Sequence, residues 1–112
     1  AGARRGRHWR AAFDGGWFAF DLKVSPEQPV ELVCTYWGGD RRSEFDILIE
    51  GEKIATEKMN SEAPGELLDV TYPVPFRLTE GKDKVRVRIQ TDEGKRTGGV
   101  FGARMVKSKK SN

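Results

Sequence analysis

The stretch VELVCTYWGGD, residues 30–40, begins as an alternating strand and ends as a glycine-rich loop. A period of two residues places even-numbered and odd-numbered side chains on opposite sides of a strand. The first side consists of Val30, Leu32, Cys34 and Tyr36, and the second of Glu31, Val33, Thr35 and Trp37. The first side is predicted to face a core, whereas the second is mixed and ends with Trp37 at the mouth of the loop.

The same period recurs along the rest of the chain and predicts an all-β fold. Strands are predicted near residues 17–24, 45–50, 53–59, 67–74, 85–90 and 101–106, in addition to residues 30–37. Turn residues separate these segments, and no apolar period of 3.6 residues persists, so little or no helix is expected. About seven short strands spaced in this way are typical of an antiparallel β-sandwich.

Length and charge predict one domain with two basic ends. A chain of 112 residues can bury a core without metals or disulfides. The formal net charge is +3, and much of the excess lies in residues 1–10, predicted to be a basic arm, and in residues 107–112, predicted to be a frayed basic tail. No apolar run has the length needed to span a bilayer. Because the chain starts with Ala1, the expectation is that it was excised from a longer protein.

Four loops are predicted to meet at one end of the sandwich if every strand reverses the direction of the one before. These loops are residues 8–16, 37–43, 60–65 and 92–99, and they contain aromatic, acidic and basic side chains. Aromatic rings stack on the C–H faces of sugars, and neighbouring polar groups bond the hydroxyls, so this end is the predicted binding site. The predicted ligand-binding residues are Trp9, Asp14, Trp37, Asp40, Arg41 and Arg96.

Two of the tryptophans carry an alternative interpretation as contacts with another domain. Trp17 and Trp37 lie on the polar sides of their strands, and exposed aromatic side chains often mark interfaces. Arg86 and Arg88 alternate with core residues, and a solvated strand face explains them better than nucleic-acid binding does.

Catalytic motifs are poorly supported by the residues present. His8 is the only histidine and has no nucleophile motif beside it. Cys34 is the only cysteine and is predicted to be a small buried hydrophobic residue. Asp14, Asp40 and Glu93 could form a carboxylate pair for glycoside hydrolysis or hold a structural calcium ion, but their spacing matches no calcium motif. No catalytic residue, metal site or cofactor is therefore predicted.

Several spaced motifs resemble one domain family. They are RGRHWR (5–10), GGWFAFDL (15–22), VCTYWG (33–38), FDILIEG (45–51), IAT (54–56) and GGVFG (98–102). Together they resemble the accessory β-sandwich domain appended to glycoside hydrolase family 127 proteins of gut-type Bacteroidota, a group that includes β-L-arabinofuranosidases. The strand pattern also resembles galactose-binding-like jelly rolls and carbohydrate-binding modules.

The resemblance implies a non-catalytic jelly-roll domain in a periplasmic or extracellular glycosidase. In that family the catalytic chemistry belongs to a separate domain with a zinc-bound cysteine, and Cys34 has no companion cysteines here. The implied partners are the catalytic domain of the same chain and plant-type glycans, with no nucleic acid and no membrane span. A purely structural sandwich without a ligand remains the alternative, followed by an independent glycosidase or a nucleic-acid-binding module.

Overall fold

A computed structural model describes residues 2–4, 7–39, 43–60 and 65–108, with side chains from residue 10 onward. Nine strands lie within these residues. They are β1 Gly2–Arg4, β2 Arg7–Trp9, β3 Trp17–Lys23, β4 Val30–Trp37, β5 Ser43–Ile49, β6 Glu52–Met59, β7 Leu67–Pro73, β8 Lys84–Gln90 and β9 Val100–Lys107. The helical content of this part of the chain is one 3₁₀ turn, Phe76–Leu78, and no described helix is long and apolar enough to cross a bilayer.

Two antiparallel sheets form the sandwich. One has four strands in the order β3-β8-β5-β6, and the other has three in the order β7-β4-β9. The short strands β1 and β2 pair with each other as a separate hairpin. The prediction of an all-β, antiparallel jelly-roll sandwich is confirmed.

The core lies between the two sheets and follows the period of two. In β5 every second residue is buried, because one face of its sheet packs against the other sheet and the opposite face meets water. The core side chains of the three central strands are Leu32, Cys34, Tyr36, Phe45, Ile47, Ile49, Val85, Val87 and Ile89. The second side of β4 is more buried than its mixed composition predicts, since Val33 and Thr35 are only 6% and 4% exposed. β4 is the middle strand of its sheet, and neighbours such as Asp69, which accepts the Thr35 hydroxyl at 2.5 Å, cover that side.

The described residues next to the predicted arm and tail are hydrogen-bonded to the sandwich. Arg10 and Val100 exchange two backbone hydrogen bonds of 2.8 Å, and the Arg10 guanidinium lies 5.0 Å from the centre of the Phe20 ring. At the other end, Lys107, the last residue of β9, is paired with Val30 of β4, and the Ser108 amide donates to the carbonyl of Pro29. Three-residue strands are too short to show a period, which is why the sequence pattern missed the hairpin. The remainder of the tail, residues 109–112, lies outside the described residues.

The buried position predicted for Cys34 is confirmed, and it has a measurable consequence. The side chain is 0% exposed, and burial raises the pKa of the thiol to about 11. Because the thiolate is the reactive form, we expect iodoacetamide at pH 8 to leave the folded protein unmodified and to alkylate it fully in urea, as measured by mass spectrometry. Equal rates in the two conditions would contradict this placement.

Candidate functional site

The first loop at the predicted binding end contains a tight turn, residues 13–16. Asp14 and Gly15 have φ of 47° and 81°, and the Gly16 amide donates to the Phe13 carbonyl at 2.9 Å. Positive φ at both central positions is typical of a type I′ turn, for which Asp-Gly is a favoured pair. The turn leaves the Phe13 side chain 60% exposed.

The loop of residues 91–99 is fixed against this turn. The Asp14 amide donates to the Lys95 carbonyl at 2.9 Å, and the Asp14 Oδ1 atom accepts the Gly94 amide at 2.9 Å. Deeper in the loop, Ala12 donates to the Thr97 hydroxyl at 2.9 Å, and the Thr97 amide donates to the Ala12 carbonyl at 3.1 Å. These bonds tie together segments about eighty positions apart, so the site is held by the sandwich rather than by local sequence.

An open depression of about 390 Å³ lies beside β5 and β6, and a second of about 410 Å³ lies over the turn itself. The second is lined by Phe13, Asp14, Gly94, Lys95 and Arg96. It therefore offers one exposed aromatic ring beside one carboxylate and two cationic side chains. That combination can stack on an apolar sugar face and hydrogen-bond hydroxyl groups.

The electrostatics of the depression are set by an ion pair at its edge. The Lys95 Nζ atom lies 2.6 Å from the Glu44 Oε2 atom. The hydrogen bond between the two groups, together with the attraction between their charges, holds the pKa of Glu44 below its usual value and the pKa of Lys95 above its usual value. Both groups thus stay charged near neutral pH, and Lys95 is held in place by β5. The Glu44 amide also donates to the Arg96 carbonyl at 2.9 Å, so β5 supports the loop twice.

The convergence of loops that strand reversal predicts is confirmed by the strand registers. Trp17 is opposite Gln90, Ser43 is opposite Met59, and Trp37 is opposite Leu67. The starts of β3, β5 and β7 therefore lie beside the ends of β8, β6 and β4, respectively.

The individual site residues are distributed unevenly at that end. Asp14 and Arg96, two of the predicted ligand-binding residues, line the same depression. Trp37 is half-buried, and its amide donates to the Gly99 carbonyl at 3.0 Å. Its indole lies against Gly39, where an added Cβ would come within 2.9 Å of Nε1. The backbone of Trp9 pairs with Gly2 in the terminal hairpin, whereas Asp40 and Arg41 lie outside the described residues.

Phe13, Gly94 and Lys95 are the lining residues that the sequence prediction did not include among its site residues. Loop position alone assigned Phe13 and Lys95 to the correct end. The backbone of Phe13 pairs with that of Arg96 across the two loops, which brings the lining residues together. Strand periodicity does not reveal which loop residues pair in this way.

The two tryptophans predicted to contact another domain do not share a surface. Trp17 lies on the outer face of the four-stranded sheet and is 51% exposed. Trp37 follows the core residue Tyr36 and belongs to the outer face of the three-stranded sheet. A partner that covered both tryptophans would have to reach around the loop end.

Metal binding at this end gains no support from the side chains that the structure describes. No three His, Cys, Asp or Glu side chains among them come close enough to hold an ion. The carboxylate of Asp14 instead bonds the backbone of Gly94. Asp40, the second acid of the hypothetical pair, is outside the described part of the chain.

Comparison with known proteins shows a similar fold in a solved structure and identifies the family of the chain. The structure is similar to that of a family 35 carbohydrate-binding module from an environmental isolate, with a TM-score of 0.62, 9% sequence identity, and coverage of 84% of this chain and 67% of that chain. At this identity the similarity shows the fold alone. No curated protein matches the sequence. The model of a family of unknown function, DUF6805, matches residues 1–106, and the chain therefore belongs to that family.

Proposed function

We propose that this chain is a non-catalytic accessory domain of a secreted glycosidase and that it binds carbohydrate weakly through the loop end. The observation that carries the proposal is the depression in which the exposed Phe13 ring adjoins Asp14, Lys95 and Arg96. The likeness of the fold to a carbohydrate-binding module supports it. The docking of the domain on a catalytic domain, and a periplasmic or extracellular location, belong to the same proposal.

The chemistry of the depression matches a neutral or weakly polar saccharide unit. The Phe13 ring presents a flat apolar surface, and sugar rings offer C–H groups that pack on such surfaces. Lys95 and Arg96 can donate to hydroxyl oxygens, and the second oxygen of Asp14 can accept from hydroxyl groups. Because the depression is open and its walls are solvated, few water molecules are displaced permanently, and weak binding is expected. The candidate ligands are plant-type glycans that contain arabinose or galactose.

Replacing Phe13 with alanine is expected to weaken glycan binding about fivefold, because the loss of one stacking ring removes on the order of 1 kcal/mol. The measurement is an NMR titration of the domain with a panel of arabinose- and galactose-containing oligosaccharides. Arg96→Gln should weaken binding in the same series. Arg77→Gln is the matched control, because Arg77 is an exposed arginine that pairs with Glu52 at the opposite end.

The panel also tests the proposal as a whole. Shifts confined to residues 12–16 and 92–97 support it. A panel in which no glycan shifts any loop-end resonance, at concentrations up to the millimolar range, contradicts carbohydrate binding at this site.

A purely structural domain is the alternative function, and the exposure of Trp17 favours it. In that case Trp17 contacts the catalytic domain and no glycan binds. Deleting the domain from the parent enzyme should then lower stability, and Trp17→Ala should reproduce part of the loss. A parent enzyme that stays fully stable and active without the domain would contradict the docking role.

A further inference from the structure

The outer face of the four-stranded sheet carries an aromatic and polar row beside the loop end. Trp17 on β3 is directly opposite Gln90 on β8, and Gln90 is in turn opposite Asp46 on β5. Directly opposed side chains in antiparallel sheets have Cβ atoms about 5 Å apart. The row therefore runs across three strands on a surface that the loop-end depression does not include.

Arg88 is the diagonal neighbour of Trp17 in this register, and the two side chains are stacked. The guanidinium carbon lies 4.1 Å from the centre of the indole ring. Arg88 is flanked by Ala19 and Leu48, which are opposite it on the two adjacent strands. The side chain of Ala19 is small, which leaves room for the guanidinium over the indole. Trp17 remains 51% exposed in spite of this stacking.

The hydrogen-bonding capacity of Arg88 is unused within the described part of the protein. Its Nε atom is buried and has no hydrogen-bond partner, and it forms no ion pair with a described carboxylate. A buried donor without a partner costs stability. Neither Nη group has a hydrogen-bond or ion-pair partner among the described residues. The guanidinium is thus held over the indole while its Nη donors have no described partner.

The charges around Arg88 favour an anion over a cation. The neighbouring carboxylates on this face already have cationic partners: Asp21 bonds Arg86 at 3.0 Å, and Asp46 lies 4.0 Å from Lys53. Asp46 also accepts the Thr56 hydroxyl at 2.8 Å. Gln90 makes no side-chain hydrogen bond to described residues and is half-buried, so its amide can contact a neutral group of a ligand.

We infer that Trp17 and Arg88 form a second saccharide site, on the outer sheet face, for a sugar unit that carries a carboxylate. The Nη groups of Arg88 bind the carboxylate, because a planar guanidinium matches two carboxylate oxygens. The exposed part of the Trp17 indole packs on the sugar ring, and the Gln90 amide bonds a hydroxyl group. This inference rests on the proposed carbohydrate-binding function and adds a site and a ligand class to it.

The test compares one saccharide in two charge states. The probes are oligogalacturonate and its fully methyl-esterified form, which keep the same rings while the ester removes the charge. We expect the acid form to shift the Trp17 indole N–H signal and to bind at least about tenfold more tightly than the ester, because charge-assisted bonds to guanidinium are lost in the ester. The affinity of the acid form should fall as salt is added.

Variants on one strand supply the matched controls. Arg88→Gln should reduce binding of the acid form to the level of the ester, and Trp17→Ala should weaken it about tenfold. Arg86→Gln changes an arginine two residues away on the same face and should leave the affinity within about twofold, because Arg86 is held by Asp21. Where Arg88→Gln does not fold, Arg88→Lys keeps the charge without the planar fork and should bind less tightly than the native protein.

The outcomes separate this inference from the proposed function. Acidic and esterified forms that bind equally, or an acid form that shifts only residues 12–16 and 92–97, overturn the sheet-face site and leave loop-end binding intact. Burial of Trp17 against a catalytic domain of the same chain also overturns it. Absence of binding by every neutral and acidic saccharide overturns both proposals.

Discussion

Replacing Phe45 with alanine is expected to destabilise the domain by about 3–5 kcal/mol, the usual cost of removing a buried phenylalanine ring. Phe45 lies on β5, is 2% exposed, and packs edge-to-face on Tyr36, with 5.4 Å between ring centres and 63° between planes. The two rings belong to different sheets, so the change removes a contact that joins the halves of the sandwich. Because small domains are stable by only about 5–15 kcal/mol, a large share of the stability would be lost.

The measurement is urea unfolding monitored by tryptophan fluorescence, with thermal unfolding as a second observable. We expect the melting temperature to fall by more than about 10 °C. Phe13→Ala is the matched control, since it makes the same chemical change at a side chain that is 60% exposed. It should change the unfolding free energy by less than about 0.5 kcal/mol. Equal losses in the two variants would contradict the assignment of Phe45 to the core.

Alternation along the chain was enough to predict the faces of the strands, and with them the core. In β5 the inward residues Phe45, Ile47 and Ile49 differ in polarity from Asp46 and Glu44 on the outer side, and a period of two follows directly from strand geometry. The loop that carries Asp14 and the loop that carries Arg96 were also assigned to the same end, because antiparallel reversal fixes which ends of the strands meet.

The partners of each strand were not predictable in the same way. Alternation assigns Trp17 and Arg88 to outer faces, but nothing in either segment indicates that β3 pairs with β8 rather than with its neighbour in sequence. Register depends on loop lengths and on packing between the sheets. The stacking of Arg88 on Trp17 is a product of that register, and Arg88 was therefore interpreted as an ordinary solvated residue.

In the candidate site, the conformation of the turn follows from local sequence, whereas the contacts between the loops do not. The Asp14-Gly15 turn is local chemistry, and its tendency to positive φ belongs to the residues themselves. The depression exists only because the loop after β8 lies against that turn and Lys95 reaches Glu44 on β5. Separate pieces of sequence supply each group, and the sandwich brings them together.

A polar cluster between the two sheets supplies the second large expected effect. The Tyr72 hydroxyl donates to the Glu57 Oε2 atom at 2.6 Å, and it lies 2.7 Å from the Tyr36 hydroxyl. Because Tyr72 has one proton to donate, the Tyr36 hydroxyl donates to Tyr72. Burial raises the pKa of both tyrosines, so both remain protonated at neutral pH. The chain of bonds links β4 and β7 of one sheet to β6, an edge strand of the other.

Replacing Tyr72 with phenylalanine is expected to cost about 2–3 kcal/mol, because it leaves a buried donor unpaired and removes a bond to a carboxylate. The unpaired donor is the hydroxyl of Tyr36, which is 0% exposed, and the carboxylate is that of Glu57. The ring volume is unchanged, so packing makes little contribution to the loss. Urea unfolding of the variant and the native protein at pH 7 gives the difference directly.

Tyr36→Phe is the control that tests which hydroxyl group of the cluster donates to which. It removes the terminal donor but leaves the bond from Tyr72 to Glu57 intact, so the expected cost is only about 1 kcal/mol. The double variant should lose less than the sum of the two single losses, because the Tyr36 hydroxyl that Tyr72→Phe leaves unpaired is then absent. A larger loss of stability in Tyr36→Phe than in Tyr72→Phe would contradict this order of donors. It would mean that the polar link between the two sheets depends on the hydroxyl of the core residue Tyr36 rather than on that of Tyr72.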